Sequence, residues 1–515
     1  MKKTVYFSIL LLLILSCSNT NEADKQEYRY ITDLTKVKDG RIPVELQFSG
    51  ELPDTACFCL PKIIPGIYDD TNFGKFVHDF KAFTSEGERL EVKKFNTNCW
   101  QLFNAKSLAK LEYNVSQGWD NFNFEDLRPY RSAENYFNED IFILNSNGIF
   151  GYFEKLEKVP YHITILKRED FYGASSLEKR SISKNQDEFK AKNYRYLVDN
   201  PLMYSKPDTT SIELSNISVL IAAYSSSGKK IADSLAISIG PLLKNQTAYL
   251  EGNLATDKYT FIVYHNENVE DEKYFSDGLE HNQSTVLLMY SPFDMEAFKS
   301  TVFHLASHEF FHTVQPLGLH SYEIAEYDFS NPKFSKHLWL YEGMTEYFTI
   351  HMRIMEKMES LDEFLKVLEQ KVSNMNKYST DIPFTEFSKK VIDMPDYYMN
   401  VYFKGALINL CLDIRLRELS NGTYGVQNLI ADLLKKYGKD RPFKDDYLFE
   451  EIYKVSGFPE LKVFVEKYIS GTTPLPLQET LYKVGFKYEE ETGKITEVEV
   501  LTDEQKLLRK FWINQ

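Results

Sequence analysis

The sequence has 515 residues, of which 43% are hydrophobic and 26% are charged, a balance typical of globular proteins that bury a large core. It contains 60 Lys and Arg against 75 Asp and Glu, which gives a formal net charge of −15 at pH 7. A surface that binds nucleic acid needs clustered Lys and Arg, and because the sequence has no such cluster, we exclude nucleic acid as a partner.

The N-terminus has the pattern of an export signal. A basic start precedes an apolar run, Val5 to Leu15, which is too short to span a bilayer and is followed by polar residues. The run ends in Ile14-Leu15-Ser16-Cys17, which resembles a bacterial lipoprotein signal. We therefore expect a signal peptide at residues 1–16, a lipid on Cys17 and a polar tether at residues 17–27, which together would anchor the protein in the bacterial cell envelope, in the outer membrane, periplasmic or surface-facing. An ordinary secretory signal with an incidental cysteine is the alternative.

Four further cysteines are interpreted as structural: Cys57, Cys59, Cys99 and Cys411. Four cysteines allow three pairings, and the sequence neither chooses among them nor excludes free thiols. Cys57 and Cys59 would share one face of a strand, because side chains alternate along a strand. Without a second ligand pair nearby, this spacing is only a weak metal signal.

Residues 28–215 are predicted to form an N-terminal β domain. Short segments of alternating apolar and polar residues recur here between Gly, Asn and Asp turns, a pattern that favours a β-sandwich. The clearest strands are Arg41–Phe48 and Tyr161–Leu166.

The pattern changes from residue 216 onwards. A helix and two strands come first, at Lys229–Gly240, Tyr259–Tyr264 and Ser284–Tyr290. Helix-period apolar residues then predict four helices, at Phe298–Val314, His337–Lys357, Leu361–Met375 and Val401–Leu419. We therefore expect an α+β protein with a second domain at residues 216–476 and a short C-terminal extension at residues 477–515.

A candidate zinc site lies in the first of these four helices. Positions four apart lie on one face of a helix, so His308 and His312 can bind the same ion, with Glu309 beside them. In this His-Glu-x-x-His arrangement two histidines bind zinc and the glutamate is the general base. The motif alone also fits a core helix with hydrogen-bonded histidines.

A second segment, Trp339-Leu340-Tyr341-Glu342-Gly343-Met344-Thr345-Glu346-Tyr347-Phe348, completes the predicted site. Catalytic zinc needs three protein ligands and an open position for water, and Glu342 is predicted to be the third ligand of one Zn²⁺ per chain. Glu346 lies one turn further on, where it can accept a hydrogen bond from His308 and fix its tautomer. His304 extends the histidine row by one turn and is the alternative ligand.

These motifs together resemble the gluzincin metallopeptidases and, more narrowly, the glycyl aminopeptidase family. Further segments carry the resemblance, which spans about residues 28–470: Leu60-Pro61-Lys62-Ile63-Ile64-Pro65-Gly66-Ile67-Tyr68, Tyr196-Leu197-Val198-Asp199-Asn200-Pro201, Gly278-Leu279-Glu280-His281 and Tyr402-Phe403-Lys404-Gly405-Ala406. The resemblance implies an N-terminal β-sandwich-like domain followed by a thermolysin-like, mainly α-helical catalytic domain.

The resemblance also implies roles for residues outside the zinc motif. Glu280 would bind the free amino group of a peptide substrate through a charge-assisted hydrogen bond, with Gly278 in the same substrate-binding segment. Tyr402 would donate a hydrogen bond to the oxyanion that forms on the scissile carbonyl. From the residues alone, Glu280 also fits a solvent-facing charge, and Tyr402 fits an aromatic side chain of a core helix.

The sequence departs from the family pattern in three places. Asp277 replaces the first glycine of the family's Gly-Gly-Leu-Glu-His motif and is expected to reshape the amine-binding corner. After His312 the chain reads Thr313-Val314-Gln315-Pro316-Leu317, where the family usually has Trp-Asn and an arginine. The family's C-terminal PDZ domain is not expected, since only about forty residues follow Pro476.

Together these observations predict a zinc metallopeptidase that removes N-terminal residues from peptides in the cell envelope. One alternative is a zinc endopeptidase on the same site, in which Glu280 meets no free amine. The other is a non-catalytic envelope protein that binds peptides or glycans and keeps zinc for structure. Glu309 and Tyr402 argue against the latter, because a structural zinc site needs neither and is closed by a fourth ligand.

Overall fold

The computed structural model describes residues 26–514, except residues 120–129, 215, 253, 255, 270–273, 293–294 and 380 and the side chains of residues 295–297, 299 and 300. The predicted signal peptide, Cys17 and most of the predicted tether lie outside the described residues. The last residue of that tether, Glu27, already belongs to the first strand.

Residues 27–205 form a unit built mainly of strands. Its described elements are β1 (Glu27–Asp33), β2 (Arg41–Ser49), β3 (Thr55–Cys59), β4 (Val77–Phe83), β5 (Val92–Lys94), β6 (Cys99–Phe103), β7 (Lys110–Ser116), β8 (Tyr136–Phe137), β9 (Ile141–Leu144), α1 (Ser146–Ile149), β10 (Tyr152–Phe153), β11 (Tyr161–Leu166), β12 (Tyr172–Ala174), β13 (Glu178–Ser183), β14 (Gln186–Ala191), α2 (Tyr194–Val198) and β15 (Leu202–Ser205). In β2, Ile42, Val44 and Leu46 are buried while the residues between them are more exposed. This alternation gives a strand one apolar face to pack against a second sheet.

The strands of this unit form three sheets. A seven-stranded sheet has the order β13-β14-β11-β1-β2-β7-β4, and two four-stranded sheets have the orders β10-β3-β6-β5 and β12-β15-β9-β8. Aromatic side chains pack between the first two sheets: Phe58 of β3 lies 6.0 Å from Tyr113 of β7, centroid to centroid. The Tyr113 hydroxyl then donates to the Ile149 carbonyl at 2.7 Å, so its polar end is satisfied inside the core.

A disulfide joins Cys59 to Cys99. The two residues face each other across the antiparallel β3–β6 pair, which brings their side chains to the same face of the sheet. Cys57 is a half-buried free thiol and Cys411 a buried one. The strand register thus selects one pairing from those that the sequence leaves open.

The second unit begins with a five-stranded sheet in the order β16-β17-β18-β20-β19. Its elements are β16 (Thr209–Leu214), β17 (Ile217–Ser225), α3 (Ala232–Tyr249), β18 (Lys258–Asn266), β19 (Phe275–His281) and β20 (Ser284–Tyr290). β16 pairs with β17 in antiparallel register, so the predicted domain boundary between residues 215 and 216 falls inside a hairpin. The pairing places β16 in the second unit. β19, which carries Gly278 and Glu280, lies at an edge of this sheet.

Helices dominate the remainder of the chain. The described elements are α4 (Met295–Phe311), α5 (Tyr322–Ala325), α6 (Leu338–Tyr341), α7 (Gly343–Met355), α8 (Leu361–Met375), α9 (Phe384–Lys389), α10 (Asn400–Leu419), α11 (Val426–Lys436), α12 (Leu448–Ser456), α13 (Leu461–Tyr468), α14 (Leu477–Lys483), β21 (Phe486–Glu489), β22 (Lys494–Glu497) and α15 (Asp503–Ile513). Within the part of the chain that the structure describes, no helix combines the length and apolar character needed to cross a membrane.

Two of the four helices predicted at residues 298–419 differ from those observed. The helix predicted to reach Val314 ends at Phe311, and the backbone then tightens, with the His312 N–H donating to the Glu309 carbonyl three residues back at 3.2 Å. Such tight turns are common at helix ends. The helix predicted at residues 337–357 is two helices, α6 and α7, and Glu342 lies between them.

The segment predicted as a C-terminal extension packs into the core of the second unit. Leu481, Phe486 and Trp512 are fully buried there. The Trp512 ring packs edge-on against Phe364 of α8, with ring centroids 5.7 Å apart. Residues 477–514 therefore belong structurally to the helical unit, since removing them would expose its core.

Candidate active site

The predicted zinc motif lies at the C-terminal end of α4, where the helix packs on the five-stranded sheet. Phe310 contacts Tyr259 of β18 edge-on, with ring centroids 5.2 Å apart. The Tyr259 hydroxyl donates to the Glu309 backbone carbonyl at 3.3 Å. These contacts hold the end of the helix against the sheet, so that His308, Glu309 and His312 lie between β19 and the start of α7.

The three predicted metal ligands come together. His308 Nε2 lies 3.5 Å from Glu342 Oε2, and His312 Nε2 lies 3.6 Å from the same oxygen. Ligand atoms around a tetrahedral zinc ion with bonds of about 2.0–2.1 Å are separated by roughly 3.3 Å, close to both distances. The donor set of two imidazoles and one carboxylate, all buried, therefore fits zinc.

The hydrogen bonds of both histidines leave Nε2 free for a metal. His308 Nδ1 donates to Glu346 Oε2 at 2.9 Å, and His312 Nδ1 donates to the Gln315 carbonyl at 2.9 Å. Burial lowers the pKa of His312 to about 4, so this ring is neutral and its Nε2 carries a lone pair. Although burial opposes protonation, the hydrogen bonds with Glu342 and Glu346 raise the pKa of His308 to about 10, so a metal would displace the proton on His308 Nε2. Gln315 lies in the stretch that departs from the family pattern. Because its backbone carbonyl accepts the hydrogen bond from His312, any residue at this position could do the same.

Glu346 is itself held by the cationic Lys371 and lies beside His304. Lys371 of α8 forms a short ion pair with Glu346 Oε1, and His304 Nε2 lies 3.9 Å from the same oxygen. Although burial opposes ionisation, Lys371, His304 and His308 lower the pKa of Glu346 well below its usual value. His304 thus lies beside the carboxylate that orients His308, one turn away from the three predicted ligands.

Glu309 is buried at the centre of the site. Its Oε2 has no hydrogen-bond partner among the described residues, and burial raises the pKa of its carboxyl group to about 8. Gly278 lies directly against it: a Cβ at position 278 would be 2.5 Å from Glu309 Oε1. The structure therefore gives Gly278 the role of making room for Glu309, on the strand predicted to bind substrate.

Glu280 lies on the same side of the site. A carboxylate oxygen of Glu280 lies within 4.8 Å of ligand atoms of Glu309 and His312. Gly66 of the N-terminal unit packs on it, since a Cβ there would be 2.6 Å from Glu280 Oε1. Burial, together with the carboxylates of Glu342 and Glu309, raises the pKa of Glu280 well above its usual value. A cationic group, such as the ammonium of a peptide N-terminus, would relieve this repulsion.

Tyr402 lies over the predicted metal ligands. Its ring is 5.5 Å from the His308 ring, in an edge-on arrangement, and its hydroxyl is 2.5 Å from the hydroxyl of Tyr398. Tyr68 of the N-terminal unit donates to Glu342 Oε1 at 3.1 Å. The sequence assigned no role to Tyr398 or Tyr68, although Tyr68 ends the Pro65-Gly66-Ile67-Tyr68 segment on which part of the family resemblance rests.

Asp277 links the two units beside the site. Its Oδ2 accepts hydrogen bonds from the Ser132 N–H at 2.9 Å and from the Ser132 hydroxyl at 2.7 Å. Burial raises the pKa of Asp277, but these hydrogen bonds with Ser132 counteract the rise. Asp277, which stands where the family has a glycine, therefore links β19 to the N-terminal unit through hydrogen bonds.

The other buried histidines lie outside the predicted ligand set: His265, His281, His320, His337 and His351. Burial lowers the pKa of His337 to about 3 and that of His351 to about 4, so both are neutral at pH 7. His337 Nε2 donates to the Asp445 carbonyl at 2.8 Å, and the Trp339 indole N–H donates to His337 Nδ1 at 3.1 Å. Both nitrogens of His337 are thus engaged in structural hydrogen bonds.

Two models of one peptidase family match the sequence. The model described as the peptidase M61 N-terminal domain matches residues 29–206, and the model described as M61 glycyl aminopeptidase matches residues 301–408. No curated protein sequence matches the chain.

Solved structures share the architecture. An aminopeptidase N family protein from Idiomarina loihiensis is 22% identical with a TM-score of 0.76, over 89% of this chain and 78% of its own. An M1 zinc metallopeptidase from Deinococcus radiodurans, in an E323A mutant bound to a Tyr-Ser-Ala substrate, is 13% identical with a TM-score of 0.54, over 88% of this chain and 96% of its own. These matches confirm the predicted fold, a β-rich N-terminal domain followed by a helical one.

Proposed function

The chain belongs to the M61 family of peptidases, whose two models together match more than half of it, and on this premise we propose that it is a zinc-dependent aminopeptidase of the bacterial cell envelope. Family membership makes it a metallopeptidase that hydrolyses peptide bonds. We propose three further points: that the metal is zinc, that the substrates have free N-termini, and that the protein lies in the cell envelope.

The observation that carries the proposal is the arrangement of four buried carboxyl groups around two histidines. Glu342 and the two histidines form a donor set that fits zinc, and Glu346 orients His308. Glu309 and Glu280 remain for the substrate, since neither is needed as a ligand. A structural zinc site would use neither of them.

Each residue then has a chemical task. Zinc, when bound, supplies a Lewis acid that lowers the pKa of water and polarises a carbonyl. Glu309 accepts the proton of the attacking water and passes it to the leaving amine. Tyr402 donates a hydrogen bond to the carbonyl oxygen as negative charge develops on it. Glu280 binds the substrate ammonium, and Gly278 keeps the backbone of β19 close to Glu309.

Glu280 is what distinguishes an aminopeptidase from an endopeptidase on this site. A buried carboxylate without a cation is costly, so a substrate that brings an ammonium gains affinity over one that does not. We expect the protein to cleave peptides with a free N-terminus and to lose activity when the N-terminus is acetylated. Equal cleavage of both peptides would instead establish an endopeptidase.

Metal dependence is tested separately. Chelation should abolish cleavage of the free peptide, and added Zn²⁺ should restore it. Metal analysis of the purified protein before chelation should find about one equivalent of zinc per chain. Activity that survives exhaustive chelation, with no metal detected, would overturn the zinc proposal.

The proposed location rests on two features of the chain. The Cys59–Cys99 disulfide suits an oxidising compartment outside the cytosol. The sequence around Cys17 supports lipidation, which would tether the enzyme to a membrane. Expression of the full chain and of a Cys17→Ala variant in a bacterial host tests this, since only the former should partition into the membrane fraction.

A further inference from the structure

The second carboxylate oxygen of the predicted ligand Glu342 is held by the N-terminal unit. Glu342 Oε2 faces both histidines, at 3.5 and 3.6 Å, while Oε1 accepts a hydrogen bond from the Tyr68 hydroxyl at 3.1 Å. The two oxygens therefore have separate partners. A carboxylate with one oxygen occupied in this way offers the other alone to a metal.

The loop that carries Tyr68 is fixed on both sides. Ile64 and Ile67 are buried in the core of the N-terminal unit, and the Lys62 N–H donates to the Phe329 carbonyl of the second unit at 2.8 Å. The Tyr68 ring lies 5.6 Å from Tyr398, measured between centroids. Its hydroxyl is therefore presented to Glu342 by packing that does not depend on the predicted metal.

We propose that Tyr68 is a positioning residue that keeps Glu342 a single-oxygen ligand, so that the N-terminal unit completes the metal site of the catalytic unit. The inference rests on the proposed zinc site. A catalytic zinc ion needs an open position for water, and a carboxylate that binds through both oxygens would fill it. Tyr68 prevents this by occupying Oε1.

The test is a Tyr68→Phe variant, which removes one hydroxyl and keeps the ring. Zinc affinity is measured on metal-free protein in competition with a chromophoric chelator, without substrate. Hydrogen-bond partners of metal ligands typically change metal affinity by about 10–100-fold, and we expect a weakening of that size. In the cobalt-substituted variant, visible absorption should become weaker than in the wild type, because a second Glu342 oxygen raises the coordination number.

Tyr152→Phe is the matched control. The Tyr152 hydroxyl shares a hydrogen bond of 3.1 Å with Ser330 Oγ, which also joins the two units but does not touch the predicted site. This variant should bind zinc as the wild type does. Thermal unfolding of both metal-free variants shows whether either has lost its fold, and similar midpoints are expected.

Three results would decide against the inference. Unchanged zinc affinity with an unchanged cobalt spectrum in Tyr68→Phe overturns it, and the proposed function stands. Unchanged affinity with a lower kcat shows that Tyr68 acts on the substrate instead, which also overturns it. If the wild-type protein binds no zinc, the proposed function is wrong, and the inference, which rests on it, is wrong too.

Discussion

Helix α7 contributes to two buried polar clusters, one at its start and one further along, and both clusters are built from histidine, acidic and tyrosine side chains. In the first cluster, Glu342 and Glu346 meet His308 and Tyr68, and Glu309, which follows His308 in the chain, lies beside them. In the second cluster, Tyr347 and His351 meet residues of α3, α10 and α15: the Tyr347 hydroxyl donates to Asp413 Oδ2 at 2.7 Å, and the Tyr249 hydroxyl donates to His351 Nδ1 at 2.7 Å. Burial and residue type alone do not distinguish the two clusters.

The two clusters differ in whether all of their polar atoms have hydrogen-bond partners. In the second cluster, Asp413 accepts from Arg417, Tyr347 and the Val426 N–H, and His351 Nε2 donates to the Trp512 carbonyl at 2.6 Å. In the first cluster, Glu309 Oε2 has no partner within the described residues. A complete network stabilises a fold, whereas an incomplete one has capacity left for a ligand.

Glu309→Gln is the sharpest way to test this contrast. The amide cannot accept a proton from water, so kcat should fall by at least about 100-fold on a peptide with a free N-terminus. Stability should be unchanged or higher, because a buried carboxyl group without a partner becomes a neutral amide. Steady-state kinetics and thermal unfolding measure the two effects, with zinc content as the control for an intact metal site.

A Glu309→Gln variant that keeps most of its turnover would show that the unsatisfied carboxylate is not the general base. The contrast between the two clusters would then lose its functional meaning, even if the metal is bound as proposed.

Asp413→Asn makes the corresponding change in the satisfied cluster. It leaves the buried Arg417 guanidinium without its anionic partner, 3.1 Å away, and removing one member of a buried pair typically costs about 3–5 kcal/mol. The unfolding midpoint in urea should fall accordingly, while kcat per folded molecule stays near that of the wild type. Asp432→Asn, in a more exposed ion pair with Lys435, serves as control and should cost less than about 1 kcal/mol.

The sequence predicted the parts of the site that depend on local spacing. His308 and His312 are one helical turn apart, and Glu342 and Glu346 repeat that spacing, so a helix alone brings each pair together. Alternation in β2 and β11 likewise predicted strands close to those observed.

Other parts of the site depend on packing between distant segments. Tyr68 lies 274 residues before Glu342, and nothing in its local sequence fixes the angle between the two units. Lys371 approaches Glu346 because α8 packs beside α7, which periodicity does not specify. The Cys59–Cys99 pair required the β3–β6 register. His351, by contrast, is a histidine and could from its sequence be a metal ligand. Only the structure shows that both of its ring nitrogens are hydrogen-bonded, which makes it a structural residue.

The satisfied cluster should also contribute to the response to acid, together with other buried histidines such as His337. Burial lowers the pKa of His351 from 6.5 to about 4, so the unfolded chain takes up a proton at a higher pH than the folded protein. Stability is therefore full above about pH 6.5 and falls as the pH decreases towards 4, by about 3 kcal/mol for this residue. Unfolding of metal-free protein across this range measures the loss, and His351→Gln should make the curve shallower. An equally steep curve in that variant would assign the acid sensitivity to other groups.

Tyr249→Phe should have the smallest effect, and it tests whether the two clusters along α7 are independent. The variant removes the donor to His351 Nδ1, and the loss of one neutral hydrogen bond costs about 1 kcal/mol. His351 and Glu342 are nine residues apart, about 13 Å along the helix axis, a separation at which substitutions usually add without coupling. Zinc affinity and kcat should therefore match those of the wild type. A fall in either would mean that α7 transmits strain from His351 to Glu342, and the satisfied cluster would then be part of the catalytic apparatus.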